Sequence, residues 1–311
     1  MLDVRRLRLL RELAHRGTIA AVAEALNFSP SAVSQQLSTL EREAGLPLLE
    51  RTGRKVSLTP AALALVGHAE AVLRHLERAE GELARARGGL GGVLRLGAFP
   101  TAARSLVPEV LTDLGSRHPA LEVHVTETDP AGVAQALRGG DLDLALRHAY
   151  DLAPLPEEPG LETRALFHEP LHLAAPAARR PADGDGAGDP WAVLAEHRDD
   201  PWITATPGTL CHTMLLGSCR AAGFTPRIRH RVDEFATALA LVAAGQGVTV
   251  VPALGLPAGG PPPGVRLTAL PMRRHTVLAV RAGGAGHPAS AAFAAALRAA
   301  AAEDPRLTLV P

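Results

Sequence analysis

A short segment near the N-terminus combines small polar side chains at helical spacing, which suits hydrogen bonding to the edges of DNA bases. Ser29 is a candidate helix N-cap and Pro30 would occupy the first helical position, so both begin the expected contact surface. Apolar residues then recur four and three apart, at Val33, Leu37 and Leu40. The other face carries hydroxyls, an amide and a guanidinium, at Ser31, Ser34, Gln35, Ser38 and Arg42. The pattern predicts a major-groove reading helix, and the alternative is an ordinary amphipathic helix whose outer face is merely solvated.

The flanking residues supply the other parts of a DNA-binding head. Residues 1–16 form an amphipathic pattern, and residues 18–26 form a small, alanine-rich helix that a second helix could cross closely. After Gly45, two short apolar runs surround the turn signal Thr52-Gly53. This hairpin would place cations at its tip, where they could contact phosphates: Arg51, Arg54 and Lys55. The sequence therefore predicts a winged helix-turn-helix over residues 1–60.

A zinc-protease pattern occurs at His168-Glu169-Pro170-Leu171-His172, where two histidines flank a glutamate. That chemistry requires a helix, because only helical spacing puts both imidazoles on one face. Pro170 and the alternation of apolar residues instead predict a strand or a crossover. No third ligand, phosphate loop or nucleophile elbow is evident, so we expect no metal site, no cofactor and no enzymatic activity.

A long proline-free pattern follows the head, over residues 61–87, and the glycines at 88–92 would form a hinge after it. Its apolar residues recur at alternating spacings of four and three, at Leu65, Ala69, Val72, Leu76, Ala79 and Leu83. This seam predicts a helix that pairs with a second copy of the chain. The alternative is a helix that packs within its own subunit.

From Val93 onward, strand and helix patterns alternate, which predicts an α/β fold with a mostly parallel sheet. Strands are expected at 93–98, 121–127, 142–147, 202–204, 228–232 and 248–251, and helices at 100–114, 131–138, 209–222, 234–244 and 288–302. Residues 267–282 would return the chain to the first lobe. The stretch 176–190 is rich in Ala, Asp, Gly and Pro and is expected to be disordered. The chain would form one lobe from about 91–168 and 266–311, and a second lobe from about 169–265.

Residues 1–60 resemble the N-terminal domain of LysR-type transcriptional regulators. The resemblance runs through the helix pair, the wing and the exit proline, at Ala21, Ala23, Leu26, Ser34, Leu37, Gly45, Thr59 and Pro60 among others. The second half is similar to the effector-binding domain of the same family, most clearly at 97–108, 140–146 and 241–252. The resemblance implies a fold related to periplasmic solute-binding proteins, a double-stranded operator, a small-molecule effector, and dimers that assemble into tetramers.

An effector cleft is expected where helices begin after strands, because ligands bind beyond the carboxyl ends of the strands in such folds. The sequence offers Thr101 and Ala102 at one helix start, and Thr204, Thr206 and Thr209 at another. Arg147 and His148 end a further strand. Glu234 and Phe235 match a family pocket position. Hydroxyls, free amides and a guanidinium favour a small anionic or zwitterionic metabolite.

Cys211 and Cys219 are the only cysteines, and peroxide-sensing members of the family carry a cysteine pair in roughly this region. Along one helix the two would lie about 12 Å apart, whereas a disulfide needs Cα atoms within about 7 Å. Two packed thiols are therefore expected, with a redox-sensing regulator as the alternative function. A second alternative is an enzyme with a DNA-binding appendage.

Composition restricts the cellular setting. The chain has 311 residues and no net formal charge, with 13 Lys and Arg against 10 Asp and Glu in residues 1–87. This excess of three positive charges is small, so DNA binding must depend on where the charged side chains are placed and on the presentation of two heads to the DNA. No eighteen-residue apolar run and no signal-peptide pattern is present, so a cytoplasmic protein without membrane contact is expected.

Overall fold

The computed structural model describes residues 1–52, 55–86, 90–178 and 191–310. The predicted wing-tip residue Arg54, the side chains of Arg51 and Lys55, the glycines at 88–89 and most of the stretch 176–190 lie outside the described residues. In the described ranges, no helix is both long and apolar enough to span a membrane.

The head consists of three helices and a two-stranded wing, as the sequence predicted. The helices are α1 (Val4–Arg16), α2 (Ile19–Ala25) and α3 (Pro30–Ala44), and the strands are β1 (Leu49–Thr52) and β2 (Lys55–Leu58). Ser29 is the N-cap of α3, and its hydroxyl accepts a hydrogen bond from the Ala32 amide. Asn27 adopts a left-handed conformation (φ 54°) in the turn between α2 and α3, which lets the chain reverse tightly.

One core holds these elements together. It is formed by buried side chains from α1, α2 and α3, chiefly Leu10, Leu13, Val22, Val33, Leu37 and Leu40. The Glu41 carboxylate accepts hydrogen bonds from the amides of Leu48 (2.9 Å) and Leu49 (3.0 Å), so it fixes the wing to the end of α3. Thr59 then caps the next helix by accepting from the Ala62 amide at 3.1 Å.

The residues of the predicted dimer seam lie on the long helix α4 (Pro60–Ala86) and fall into two groups. Ala69 is fully buried in the core of the head and Leu65 packs against that core, so these two residues serve their own subunit. Farther along, Val72, Leu76 and Leu83 are 38%, 43% and 60% exposed in the single chain. The prediction of one continuous dimer seam therefore has to be shortened, because the first turns of α4 complete the head.

The second half is a two-lobed α/β domain. Its helices are α5 (Pro100–Ser105), α6 (Val107–Arg117), α7 (Pro130–Gly139), α8 (Ala192–Ala195), α9 (Leu210–Ala221), α10 (Phe235–Ala243) and α11 (Pro288–Glu303). Its strands are β3 (Gly92–Ala98), β4 (Leu121–Glu127), β5 (Leu144–Tyr150), β6 (Leu161–Pro176), β7 (Pro201–Thr204), β8 (Arg227–Arg231), β9 (Thr249–Pro252), β10 (Val265–Arg281) and β11 (Thr308–Leu309).

Two long antiparallel strands, β6 and β10, run through both lobes and join them. The main sheet has the order β11-β6-β10-β5-β3-β4, and β9 also pairs with β6. Only β4, β3 and β5 are parallel neighbours in it, and β7 pairs in parallel with β8 in a separate sheet. The expectation of a mostly parallel sheet was therefore wrong, because both crossings between lobes are made by β6 and its antiparallel partner.

Each lobe has its own core. The first is built around Leu96, Leu146 and Phe293, and the second around Trp202, Met214 and Val250. Leu270 and Met272 of β10 also pack in the second core, so the chain returns to the first lobe after residue 272 rather than near 266.

The helix expected over 100–114 is interrupted. It forms α5 and α6, with Leu106 between them at φ −118° and ψ −41°. Pro108 has no amide hydrogen and its ring crowds the preceding turn, so a continuous helix through this position is disfavoured. The break leaves α5 as a short, separately oriented segment whose first residues face the gap between the lobes.

The head also contacts the first lobe of its own chain. Three arginines of α1 donate to main-chain carbonyl oxygens at the end of α7. Arg11 reaches the Arg138 carbonyl at 3.1 Å, Arg16 reaches that of Gln135 at 3.3 Å, and Arg8 bonds that of Gly139. The cationic groups therefore lie at the negative end of the α7 dipole.

Candidate functional site

The outer face of α3 presents a polar surface of the predicted kind. Val33, Leu37 and Leu40 are at most 1% exposed and attach the helix to the head. The remaining positions are exposed or half-buried, at Ser29, Pro30, Ser31, Ser34, Gln35, Ser38 and Arg42. The structure thus brings the α3 members of the predicted DNA-binding set to one surface.

Neighbouring contacts divide the polar residues of α3 into two groups. The Arg42 guanidinium donates to the Thr39 hydroxyl at 2.8 Å, and Thr39 donates to the Gln35 carbonyl at 3.0 Å. Gln36, which faces α1, accepts a hydrogen bond from Arg6 at 2.9 Å. In the described part of the chain, the side chains of Ser34, Gln35 and Ser38 have no hydrogen-bond partner and are available to bases.

A cavity of about 260 Å³ lies between the two lobes. Five of the predicted effector residues line it, namely Thr101, His148, Thr209, Glu234 and Phe235. They come from both lobes and from the N-terminal ends of three helices, α5, α9 and α10. The structure thereby brings together positions that are up to 134 residues apart in the sequence, from 101 to 235.

Four predicted residues lie elsewhere. Ala102 is fully buried in the core of the first lobe. The buried Thr204 hydroxyl lies 3.3 Å from His212 Nδ1. Thr206 donates to the Asp233 carboxylate through its amide (2.7 Å) and its hydroxyl (2.9 Å), so it supports the loop behind the cavity wall.

Arg147 is the fourth of these, and it points to the opposite face of β5 from His148. Successive side chains of a strand alternate between faces, so the two neighbours could not both reach the cavity. The Arg147 guanidinium is 3% exposed and lies 3.9 Å from the Glu158 carboxylate. Burial is the main cause that lowers its pKa. The cation on which the expected anion preference partly rested is therefore absent from the cavity lining.

The cation that does line the cavity is Arg274 of β10, which sequence reasoning missed. Its guanidinium forms a salt bridge with Glu169 at 2.7 Å, and both side chains are at most 1% exposed. It also donates to the Thr101 hydroxyl at 2.8 Å and lies 4.9 Å from the centre of the Phe99 ring. Glu169 in turn accepts from the Leu254 amide at 2.6 Å. This network connects both crossing strands to α5 and forms the floor of the cavity.

Among the described residues that line the cavity, His148 is the one with buried side-chain nitrogens that have no hydrogen-bond partner. It is 5% exposed, and neither ring nitrogen has a hydrogen bond in the structure. Its ring packs edge-on against Phe99 (4.8 Å) and Tyr150 (5.3 Å). Burial, followed by the charges of Arg274 and Arg147, lowers the pKa of His148 well below its ordinary value. The imidazole is therefore neutral and offers one donor and one acceptor.

The two cysteines differ in their surroundings. Cys211 lines the cavity, and its sulfur lies 3.1 Å from the Tyr150 hydroxyl. Cys219 is fully buried in the second lobe. Burial raises the pKa of both thiols, that of Cys219 to about 12. Both lie on the continuous helix α9, as predicted, so a disulfide between them would require α9 to unwind.

The rim of the cavity is acidic. Glu127 and Asp129 contribute from the first lobe, and Asp233 and Glu234 contribute from the second. Glu234 also caps α10 by accepting from the Ala236 amide at 3.3 Å, and it lies 3.8 Å from the Arg104 guanidinium. The sequence showed these acids, but their distance along the chain concealed that they meet.

The histidines of the zinc-protease pattern lie on β6, as the alternation predicted, and Glu169 is committed to Arg274. Four residues along a strand span about 13 Å, so His168 and His172 do not share one ion. Within the described ranges, no group of three or more His, Cys, Asp or Glu side chains is arranged to hold a metal ion.

Comparison with known proteins matches two family models to this chain. Residues 4–63 match the family model "Bacterial regulatory helix-turn-helix protein, lysR family", and residues 87–302 match the model "LysR substrate binding domain". A hydrogen peroxide-inducible genes activator of Pectobacterium carotovorum subsp. carotovorum is 32% identical over 263 residues, which cover 82% of each chain.

Solved structures resemble the whole chain as well. A cysteine mutant of OxyR from Corynebacterium glutamicum is 27% identical with a TM-score of 0.55, over 96% of this chain and 92% of that one. Full-length CbnR in complex with its target DNA is 25% identical with a TM-score of 0.54, over 96% of this chain and 100% of that one. Since the substrate-domain model alone spans well over half of the sequence, this protein belongs to the LysR family of helix-turn-helix transcriptional regulators.

Proposed function

We propose that this chain binds a double-stranded DNA operator through α3 and the wing, and that a small effector in the cavity between the lobes modulates this binding. The observation that carries the proposal is the occurrence, on one chain, of an available polar helix face and a lined interlobe cavity with an unpartnered buried imidazole. Membership of the family and the DNA complex of CbnR support the same arrangement.

Pairing of two chains through the exposed part of α4 completes the proposal. Val72, Leu76 and Leu83 form an apolar stripe, which is exposed in the single chain and suits a second copy of the same helix. Two heads would then face two half-sites of a palindromic operator. Association of such dimers into a tetramer, expected from the family resemblance, is part of the proposal. So are a cytoplasmic location, where the operator would be found, and the absence of an enzymatic role.

The DNA part is tested by selecting operators from a random duplex library with the full chain and measuring affinity by fluorescence anisotropy. Gln35→Ala should weaken cognate binding by about 1–3 kcal/mol and leave binding to random DNA nearly unchanged. Gln36→Ala is the matched control, because Gln36 faces Arg6 on the other side of the same helix. Equal losses on cognate and random DNA for Gln35→Ala would contradict base reading by this residue.

The effector part is tested by footprinting the selected operator during a metabolite screen. A ligand present at 100 times its dissociation constant should add about 2.7 kcal/mol of stability, which a thermal shift detects. The footprint should change in length or affinity with the same ligand. A footprint that is insensitive to every ligand that stabilises the protein would indicate a constitutive DNA binder.

Thiol-based sensing is the second candidate, because Cys211 lines the cavity and several relatives are named as hydrogen peroxide-inducible genes activators. The raised pKa of Cys211 opposes it, since the thiolate is the reactive form. Peroxide should then leave operator affinity unchanged. A change in affinity that Cys211→Ser abolishes, with a Cys211–Cys219 disulfide in the mass spectrum, would favour this candidate instead.

A further inference from the structure

We propose that the effector is a small organic cation of the amine class, held under an acidic rim, rather than an anion. This inference deepens the proposed function and rests on it, because it concerns the same interlobe cavity. It depends on the charges that surround the cavity, on the helix ends that point toward it, and on the buried imidazole within it.

Helix N-termini favour anions, and three helices of nine or more residues, α7, α9 and α10, begin at the cavity. Each N-terminus carries roughly half a positive charge, so together they supply about +1.5. Two of them are already capped by side chains, because Thr209 accepts from the His212 amide and Glu234 accepts from that of Ala236. Their attraction for a ligand anion is correspondingly weaker.

The carboxylates outweigh these dipoles. Among the described residues, four acidic side chains line the cavity, and Arg274 is the cation that lines it with them. Arg274 is itself neutralised by Glu169 at 2.7 Å. Arg104 offsets part of Glu234, with 3.8 Å between them. Even with the helix ends included, Glu127, Asp233 and the part of Glu234 that Arg104 does not offset leave a net negative charge at the rim, which repels an anionic ligand and attracts a cationic one.

The interior of the cavity fits the uncharged part of such a ligand. The charges of Arg274 and Arg147 help to lower the pKa of His148, so a positive charge is disfavoured beside its ring and the ammonium group would lie at the rim carboxylates. The two nitrogens of the neutral His148 ring lack any other partner and can bond to a neutral polar group of the ligand. Phe99 and Phe235 also line the cavity and can contact the apolar body of the ligand. The Thr101 hydroxyl, which accepts from Arg274, keeps its own hydrogen to donate to a polar group of the ligand.

Cys211 lies in the cavity lining and provides a direct probe of its potential. The full chain is treated with a cationic reagent, aminoethyl methanethiosulfonate, or with an anionic one, sulfonatoethyl methanethiosulfonate, and modification of Cys211 is followed by peptide mass spectrometry. Both reagents meet the same thiol, so the ratio of their rates does not depend on its pKa. The same ratio in the urea-unfolded chain corrects for intrinsic reactivity.

We expect the cationic reagent to be favoured about tenfold more in the folded chain than in the unfolded chain, and the preference to shrink in high salt. Glu127→Gln should reduce it by roughly twofold, because one of the rim charges is lost. Glu122→Gln, at the other end of the same strand and outside the lining, is the matched control and should leave it unchanged.

The possible failures are distinguishable. A folded-chain ratio at or below the unfolded one would overturn the cationic assignment and leave the cavity as an effector site. A high ratio that responds neither to salt nor to Glu127→Gln would refute the role of the rim carboxylates. If neither reagent modified Cys211 at a pH high enough to ionise its thiol, the cavity would not admit ligands, and the proposed effector site itself would fail.

Discussion

Removing one charge of the buried Glu169–Arg274 pair should destabilise the two-lobed domain more than removing a charge of an ion pair at its surface. The two side chains are at most 1% exposed and 2.7 Å apart, so removal of one partner leaves an uncompensated buried charge. Such a loss costs about 3–5 kcal/mol. With a urea m-value of about 3 kcal/mol per molar, the unfolding midpoint should fall by roughly 1–2 M.

The perturbation is a double-mutant cycle made of Glu169→Gln, Arg274→Met and the two together. Arg274→Met keeps the length and apolar stem of the side chain but removes its hydrogen bonds to Glu169 and Thr101. The double variant contains no buried charge at this place, so it should be more stable than the sum of the single losses predicts, by several kcal/mol. Unfolding is followed by tryptophan fluorescence, because Trp202 is fully buried in the second lobe.

The reasoning would be refuted by single losses below about 1 kcal/mol that add within about 0.5 kcal/mol in the double variant. That result would mean that the pair is solvated or uncoupled in solution. Asp113→Asn is a suitable control, because Asp113 pairs with Arg117 on the exposed face of α6 and such pairs contribute little. Its midpoint should stay within the error of wild type.

Three further outcomes are expected. Thr101→Val removes the acceptor of a buried charged hydrogen bond, so it should lower stability by about 1.5–3 kcal/mol in the same urea assay, and an unchanged midpoint would place the Arg274 contact in doubt. Leu76→Glu should give a smaller species in sedimentation equilibrium and lose tight operator binding, because it places a charge in the apolar stripe. His75→Glu, one position off that stripe, should do neither. An unchanged mass for Leu76→Glu would indicate that α4 packs within its own subunit. The pKa of His148 in the folded chain lies below its ordinary value of 6.5, so the free energy of unfolding of wild type should be constant above pH 6.5 and fall as the pH drops below 6.5. Urea titrations at successive pH values should show a smaller fall for His148→Phe. Parallel curves for the two proteins would show that His148 does not cause the fall.

Local sequence signals were sufficient to predict the elements of the head and most boundaries of helices and strands. The Ser29-Pro30 start, the stripe of Val33, Leu37 and Leu40, and Gly45 after the helix each act within a few residues of their position. It was harder to predict which residues of α4 belong to the dimer seam, because the position of Ala69 fits both a heptad repeat and the hydrophobic core of the head. Only the path of α1 across α4 decides that it is buried in its own subunit.

The residues of the candidate site were harder to predict, because the sequence does not show which side chains of a strand face the cavity when both faces of the strand are buried. Arg147 and His148 are adjacent on β5, and a pattern of buried residues on both sides cannot tell which of them faces the cavity. Arg273 and Arg274 present the same problem on β10, where only Arg274 is buried. The acidic rim was missed for another reason, because it is assembled from two lobes that are joined only through β6 and β10.

The contact between the head and α7 has an evolutionary consequence. The acceptors that α7 offers to Arg8, Arg11 and Arg16 are all main-chain oxygens, so the side chains of residues 135–139 can change without loss of these hydrogen bonds. Arg11 and Arg16 have less freedom, because they also donate to the buried Glu12 carboxylate, and lysine lacks the planar fork that makes both kinds of contact. Substitutions should therefore accumulate on the α7 side of this junction while these arginines and Glu12 stay fixed.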